Sequence, residues 1–371
     1  MKDVGIVYDN IYAEHKTQLT FGHPERPDRV THAITTLTEY EMYGENRKGN
    51  FHQIPPRLAT KDEILLSHST DLIKDIQQSV ERAAKSQRNV LLDGDTPVSS
   101  QSYIAALYAA GGNFSAIDAI IDGKISSAFV LCRPPGHHAN VSASRGFCLF
   151  NNIILATQYL MREKGLKRVA IIDWDAHAGN GSEDIVYNGV PNVPEDASLL
   201  FFSIHQDPRT LYPGTCFPQD IGEGNQKGKI VNITLPPLSG DDCLQLALDQ
   251  IILPMLHEFK PEYILFSAGF DGHYKDQLTN LGYTSQGYGK IMQKILPVAD
   301  EYAKGRISLT LEGGYNLEAQ SNSILNVLSI LSGSEMIIED DEQSNSRCVE
   351  YTENKLVPYL KDLLQPYWKI L

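Results

Sequence analysis

Four stretches of this chain combine residue types able to do chemistry, and each follows a short apolar run. In Asp173-Trp174-Asp175-Ala176-His177, two carboxylates and an imidazole occupy alternate positions after Val169-Ala170-Ile171-Ile172. If extended geometry continues, alternate side chains project to one side. Acids are rarely buried unless paired or bound to metal, so such a cluster needs an explanation. One is a metal, since carboxylate oxygen and imidazole nitrogen suit zinc or iron. The other is a hydrogen-bonded polar cap on the strand end. Asp271 follows Ile264-Leu265-Phe266-Ser267-Ala268 and then Gly269-Phe270. Alone it reads as a cap or turn residue. With Asp175 and His177 it makes three ligands, the number that leaves a catalytic metal an open position.

The third stretch is Arg133-Pro134-Pro135-Gly136-His137-His138. Imidazole titrates near neutral pH, so a histidine pair beside a metal suits acid–base work; otherwise it is a rigid loop with exposed histidines. The fourth is Leu311-Glu312-Gly313-Gly314-Tyr315-Asn316. The glycines let backbone approach closely, and a tyrosine hydroxyl there could meet a developing oxyanion or simply pack on its ring. Each stretch alone is a weak signal; one metal site could use all four.

The elements that must position these residues are legible as periodicity. Runs at 3–8, 127–132, 168–173, 199–205, 230–235, 263–268 and 307–311 are apolar on consecutive positions, as in parallel strands buried on both faces. Helical patterns fall between them at 29–40, 71–84, 103–122, 152–164, 242–259, 286–304 and 317–331. Such alternation predicts βαβ units and one α/β sheet with helices on both faces. Ligands in open α/β sheets bind beyond the carboxyl ends of strands, where all four motifs fall. No linker splits the chain, so residues 1–371 read as a single domain. An acidic run, Glu339-Asp340-Asp341-Glu342, marks a solvated surface segment at about 333–354, and 355–371 reads as a closing helix or tail.

Composition narrows the class. The chain has 371 residues, 42% of them hydrophobic, enough for a sizeable core. Its net charge of -14 argues against a dedicated phosphate-backbone binder and is compatible with cationic partners. Five widely spaced cysteines without a CxxC argue against a disulfide framework and fit a reducing compartment. The N-terminus does not read as a signal peptide, and no apolar run approaches the roughly 18 residues of a membrane span. The expectation is a soluble, cytoplasmic protein.

Taken together, these residues resemble the histone deacetylase family, including its bacterial and archaeal members and the acetylpolyamine amidohydrolases. In family order the matching stretches are His23-Pro24-Glu25-Arg26-Pro27-Asp28-Arg29, His68-Ser69, 133–139 and Gly146-Phe147-Cys148-Leu149-Phe150-Asn151-Asn152. They continue through 173–180, Tyr212-Pro213-Gly214-Thr215, 267–271 and 311–316. Asp-Trp-Asp, Phe-Asn-Asn and Glu-Gly-Gly-Tyr resemble the class II side. The resemblance implies the three-layer αβα arginase/deacetylase fold with an eight-stranded, mainly parallel sheet. It implies one zinc ion held by Asp175, His177 and Asp271. His138 would be the general base and later acid, His137 its partner, and Tyr315 the carbonyl-binding hydroxyl. Asp173 would orient His137, and Asn180 would orient His138. Phe147, Tyr212, Leu278 and Gly313 would line a narrow substrate tunnel. A structural potassium ion would sit near Asp173, Ser203 and Ile204, Arg29 would line an internal cavity, and Asp95, beside Asp93, would be the rim acid.

Three departures stand out. Ala178 replaces a second His, Asn180 replaces the Asp of class I members, and Gln277 interrupts a common Asp-Pro-Leu. The related two-manganese arginases would need Asp at 179, where this chain has Gly179. Polyamine-selective relatives place an acid seven positions after the Asp ligand; here that position is Leu278. The expected substrate is therefore an acylated lysine in a protein or peptide, with an acetylated polyamine as the alternative. A silent acyl-lysine-binding module should have lost a ligand, the His pair or the Tyr, and all are present. No nucleic acid or membrane partner is expected, and a homo-oligomer is left open.

Overall fold

The computed structural model describes residues 1–19, 22–341 and 343–369. Eight strands form its main sheet: β1 (Val4–Val7), β2 (Phe51–Ile54), β5 (Ser127–Val130), β6 (Arg168–Asp173), β7 (Ser198–Gln206), β8 (Ile230–Leu235), β9 (Tyr263–Ala268) and β10 (Ile307–Leu311). The short strands β3 (Val90–Leu91) and β4 (Pro97–Val98) pair antiparallel as a separate hairpin. The main sheet runs β2-β1-β5-β10-β9-β6-β7-β8, and every pairing is parallel. Flanking helices complete the three-layer α/β arrangement. β5, β9 and β10 are buried at every position, as consecutive apolar residues require of strands covered on both faces.

Strand order explains how distant motifs meet. The loops carrying His137 and His138, Tyr315, Asp271, and Asp175 with His177 leave β5, β10, β9 and β6. These four strands are consecutive neighbours in the sheet, so their carboxyl ends share one edge.

The structure departs from the sequence expectations in three places. The edge strand β2 was not foreseen: Phe51-His52-Gln53-Ile54 is short and alternates toward solvent. Helix Ser102–Ile121 is long and apolar enough to cross a membrane, contrary to the expectation that no run approaches that length. Its composition has a local cause. It packs against β5, β1 and helix Asn152–Arg162, and a Cβ at Gly111 would lie 1.9 Å from the Arg57 carbonyl oxygen. Finally, the acidic run is not wholly solvated. Asp340 accepts the Ser285 N–H at 2.8 Å and faces His273 Nε2 at 3.1 Å. It thereby straps the segment onto the N-terminus of helix Ser285–Tyr302, where a carboxylate is favoured. Glu342 and the last two residues, Ile370 and Leu371, lie outside the described residues. Helices Ser346–Tyr351 and Val357–Leu364 occupy the described C-terminal part, and Leu364 and Trp368 join the core.

Candidate active site

Asp173 ends β6, and the chain turns so that three side chains converge. His177 Nδ1 lies 2.7 Å from Asp271 Oδ2 and 3.2 Å from Asp175 Oδ1. One donor atom from each of the three lies within 4.8 Å of the others. Two glycines make this crowding feasible. A Cβ at Gly269 would stand 1.9 Å from Asp175 Oδ2, and one at Gly313 would stand 2.6 Å from both Asp175 Oδ2 and Asp271 Oδ2. Backbone N–H groups aim the carboxylates. Gly313 donates to Asp175 Oδ2 and Ala176 to Asp271 Oδ1, each at 2.8 Å.

Charge balance shows what this group lacks. Both carboxylates are buried, and among the described residues no Lys or Arg side chain is hydrogen-bonded to them, although His137 and His177 hold Asp175 low against burial. Burial, then the nearby Asp175 charge, pushes Asp271 up to about 7. A divalent cation would relieve that repulsion, and two carboxylates with one imidazole are a donor set suited to it. The residues therefore fit a metal centre.

Beside it stands the histidine pair. His137 Nδ1 is 3.0 Å from Asp173 Oδ2, and His138 Nδ1 is 2.7 Å from Asn180 Oδ1. The rings lie 4.0 Å apart between centroids. Their environments differ in sign. Burial resists charge on His137, but the Asp173 and Asp175 carboxylates outweigh it and raise it to about 10. His138 falls well below the usual imidazole value, from burial and then the positive rings of His137 and His177. An amide oxygen accepts the His138 Nδ1–H and leaves Nε2 as a free base. The Asn180 departure thus orients His138 without adding the charge that would favour imidazolium.

Tyr315 is 7% exposed, its ring edge-on to Phe147 at 5.9 Å. Tyr212 is more open and sets its ring 5.1 Å from His138. Leu278 is half-buried on the loop after Asp271, and the neighbouring Gln277 donates to the Tyr315 carbonyl at 3.4 Å. Asp173 and Ser203 are direct cross-strand neighbours in β6 and β7, with Ile204 next in line. Arg29 lies beneath Tyr315, its guanidinium 4.9 Å from the ring centroid, bonded to Glu25, Gln320 and the carbonyls of Glu312 and Gly314.

Sequence reasoning assigned no role to two residues that hold this constellation together. Glu312 is fully buried, and its Oε2 accepts the N–H groups of Gly136 at 2.7 Å and His137 at 3.1 Å. It thereby ties the histidine loop to β10. The available signal was an acid placed directly after a buried strand. His68 lies 2.8 Å from both the Asn140 carbonyl and the Asn151 N–H, clamping the segment that follows the histidine pair to the one that opens helix Asn152–Arg162.

Comparison with known proteins gives a consistent picture. Residues 23–331 match the histone deacetylase domain. A probable deacetylase of Archaeoglobus fulgidus is 35% identical over 330 residues, 89% of this chain and 86% of that protein. Histone deacetylase 10, chloroplastic, of Oryza sativa is 36% identical over 310 residues, covering 81% of this chain and 68% of that one. The crystal structure of the HDA15 HD domain superposes with a TM-score of 0.85 at 27% identity, over 100% of this chain and 97% of that one. The chain belongs to the histone deacetylase family.

Proposed function

We propose that this protein is a zinc-dependent amidohydrolase that removes acetyl groups from lysine side chains of proteins or peptides. The observation that carries the reading is the convergence of Asp175, His177 and Asp271 with the His137–His138 pair and Tyr315 at one sheet edge. Asp175, His177 and Asp271 would hold the ion. When bound, zinc supplies Lewis-acid stabilisation of the amide carbonyl and lowers the pKa of water to about 7. His138, neutral and with Nε2 free, takes the proton of the attacking water. The leaving amine then receives a proton from the histidine pair. His137, kept cationic against Asp173, stabilises the developing negative charge and holds the pair's geometry. The Tyr315 hydroxyl donates to the carbonyl oxygen as it becomes an oxyanion.

The donor set supports one ion rather than two. A Cβ at Gly179 would stand 2.3 Å from Asp173 Oδ2, leaving no room for another ligand side chain there. A potassium ion beside Asp173, Ser203 and Ile204 belongs to the same proposal, with a structural role. Leu278 supports lysine over a polyamine, because a polycation gains nothing from an apolar residue. The test is acetate release from acetyl-lysine peptides, acetylated polyamines and longer acyl-lysines by zinc-loaded protein. Hydrolysis of acetyl-lysine peptides, with Tyr315→Phe slowed about 10²–10³-fold, is expected. No turnover of any substrate, or a Tyr315→Phe variant equal to the native protein, overturns the reading.

A further inference from the structure

The Phe147 ring, set against Tyr315, is held in an unusual way. Phe147 has φ 69°, in the left-handed region that a bulky side chain rarely adopts. Such a conformation persists only where surrounding structure over-determines it. Its N–H donates to Thr96 Oγ1 at 3.0 Å. Thr96 is fully buried at the tip of the β3–β4 hairpin, and its hydroxyl also donates to Asp95 Oδ1 at 3.3 Å. The hairpin tip is itself rigidly made. Asp93 Oδ1 accepts the N–H groups of both Asp95 and Thr96, and Leu92 donates to the Thr96 carbonyl. His23 closes the assembly from the other side. Its ring lies 4.7 Å from that of Phe147, and its Nε2 is 3.1 Å from the Asp95 carbonyl.

We propose that Thr96 is a positioning residue that latches Phe147 against Tyr315 and joins the tunnel wall to the Asp95 carboxylate at the rim. A threonine hydroxyl can donate once and accept, and here it accepts from the Phe147 N–H and donates to the Asp95 carboxylate. Without the hydroxyl, Phe147 N–H has no partner and the left-handed backbone loses its restraint. The ring then leaves its edge-on contact with Tyr315, and the site no longer grips the extended side chain. The chemical groups stay in place, so the defect falls on binding rather than on turnover.

This inference rests on the deacetylase reading, and the experiment separates the two. Thr96→Val removes the hydroxyl at constant shape, and Thr96→Ser restores it. In the zinc-loaded full chain, Thr96→Val should raise KM for an acetyl-lysine peptide about 3- to 10-fold, the scale of one lost hydrogen bond, with kcat nearly unchanged. Thr96→Ser should return KM to the native value. Hydrogen exchange at the Phe147 amide, which needs no activity, should quicken in the Val variant and not in the Ser variant. Native KM and native exchange in Thr96→Val overturn the latch. So does a Val variant in which kcat, KM and melting temperature all deteriorate and Ser rescues none of them. If the native protein turns over nothing while exchange behaves as expected, the function fails and the latch stands.

Discussion

Two groups of buried charges sit close together in this molecule, one around the single carboxylate of Glu25 and one around Asp175 and Asp271, and they are solved in opposite ways. Behind Tyr315, Glu25 is fully buried and bonded to Arg133 and Arg29, with His15 Nε2 at 3.5 Å. Burial resists its ionisation, but Arg133 above all, then His15 and Arg29, hold it down at about 2. At the sheet edge, Asp175 and Asp271 share the His177 imidazole, and His137 Nε2 stands 3.9 Å from Asp175. No guanidinium is bonded to either acid among the described residues. His137 and His177 hold Asp175 low against burial, whereas Asp271 is driven up to about 7. A buried charge must be paired or bound to metal. The chain gives Glu25 two guanidinium partners, but gives the sheet-edge acids only imidazoles, and these leave Asp271 incompletely compensated. A group left electrically incomplete beside a base and a hydroxyl is where an external cation belongs.

The largest expected effect breaks the second cluster. Asp271→Asn keeps the hydrogen-bond capacity toward Ala176 N–H and His177 but removes one charge. It should abolish zinc binding and lower activity more than about 10³-fold, since metal, carbonyl and water activation go together. The metal-free variant should be at least as stable as metal-free native protein, because a repulsion has gone. Zinc should then raise the native melting temperature and leave the variant's unchanged. At free zinc near 100 times Kd the gain is about 2.7 kcal/mol. Metal analysis and thermal denaturation with and without chelator read both. A destabilised metal-free Asp271→Asn would show that the two clusters are not opposites.

The same substitution in the first cluster should do the reverse. Glu25→Gln leaves Arg29 and Arg133 buried without their counter-charge, at a cost of about 3–5 kcal/mol. The sign with pH follows. The carboxylate is held below its unfolded value, so its contribution is present above about pH 4.5 and is lost as pH falls through about 2. Chemical denaturation at neutral pH, where the pair contributes fully, measures the difference. A stable Glu25→Gln would mean that the arginines are satisfied by their carbonyl contacts alone. A smaller effect is expected at the Glu312 side chain; its backbone carbonyl accepts from Arg29, but its carboxylate Oε2 accepts the Gly136 and His137 N–H groups. Glu312→Gln retains an acceptor for Gly136 and His137 N–H, whereas Glu312→Ala does not. Activity should fall about 10- to 100-fold in the Ala variant and much less in the Gln variant, because general acid–base catalysis depends on where the histidines stand.

How much of this was readable beforehand follows from where residues sit. The buried strands declared themselves because both faces are covered and consecutive residues must be apolar. The four motifs declared themselves because acids and histidines at the ends of such strands are out of place. Strand β2 did not, since an edge strand with one open side is free to carry His52 and Gln53. Glu312 was quoted within its motif without a role. Only the closeness of β5 and β10 brings its carboxylate to Gly136 and His137, and that closeness belongs to the sheet order. Asp340 looked like one acid of a solvated run because what distinguishes it, the end of a helix from another part of the chain, is invisible locally. Thr96 likewise gained meaning only when residue 147 came beside it.

The smallest effect tests whether a neutral partner can be as fixed as a charged one. His68 is buried against polar backbone groups and the Phe150 ring, and among the described residues burial and the Asn140 carbonyl are what act on its charge. One ring nitrogen meets a carbonyl and the other an N–H, so only the neutral ring satisfies both. Burial lowers it to about 4, although the Asn140 carbonyl favours the charged form. In the unfolded chain the ring binds a proton below about pH 6.5, while the folded ring stays neutral until about 4. The unfolded state therefore holds more protons across that window, and this residue's contribution falls as pH falls through it. His68→Gln supplies one N–H donor and one carbonyl acceptor that do not titrate. The stability advantage of the native chain over His68→Gln should shrink by about 1 kcal/mol between about pH 7.5 and 5.5. The difference between two chains cancels every other titrating group, including the metal-free Asp271. A gap that stays constant with pH would mean that the folded ring takes up a proton as readily as the unfolded one, and a gap that widens as pH falls would mean that His68 is charged in the fold; either shows that the clamp between Asn140 and Asn151 is made differently.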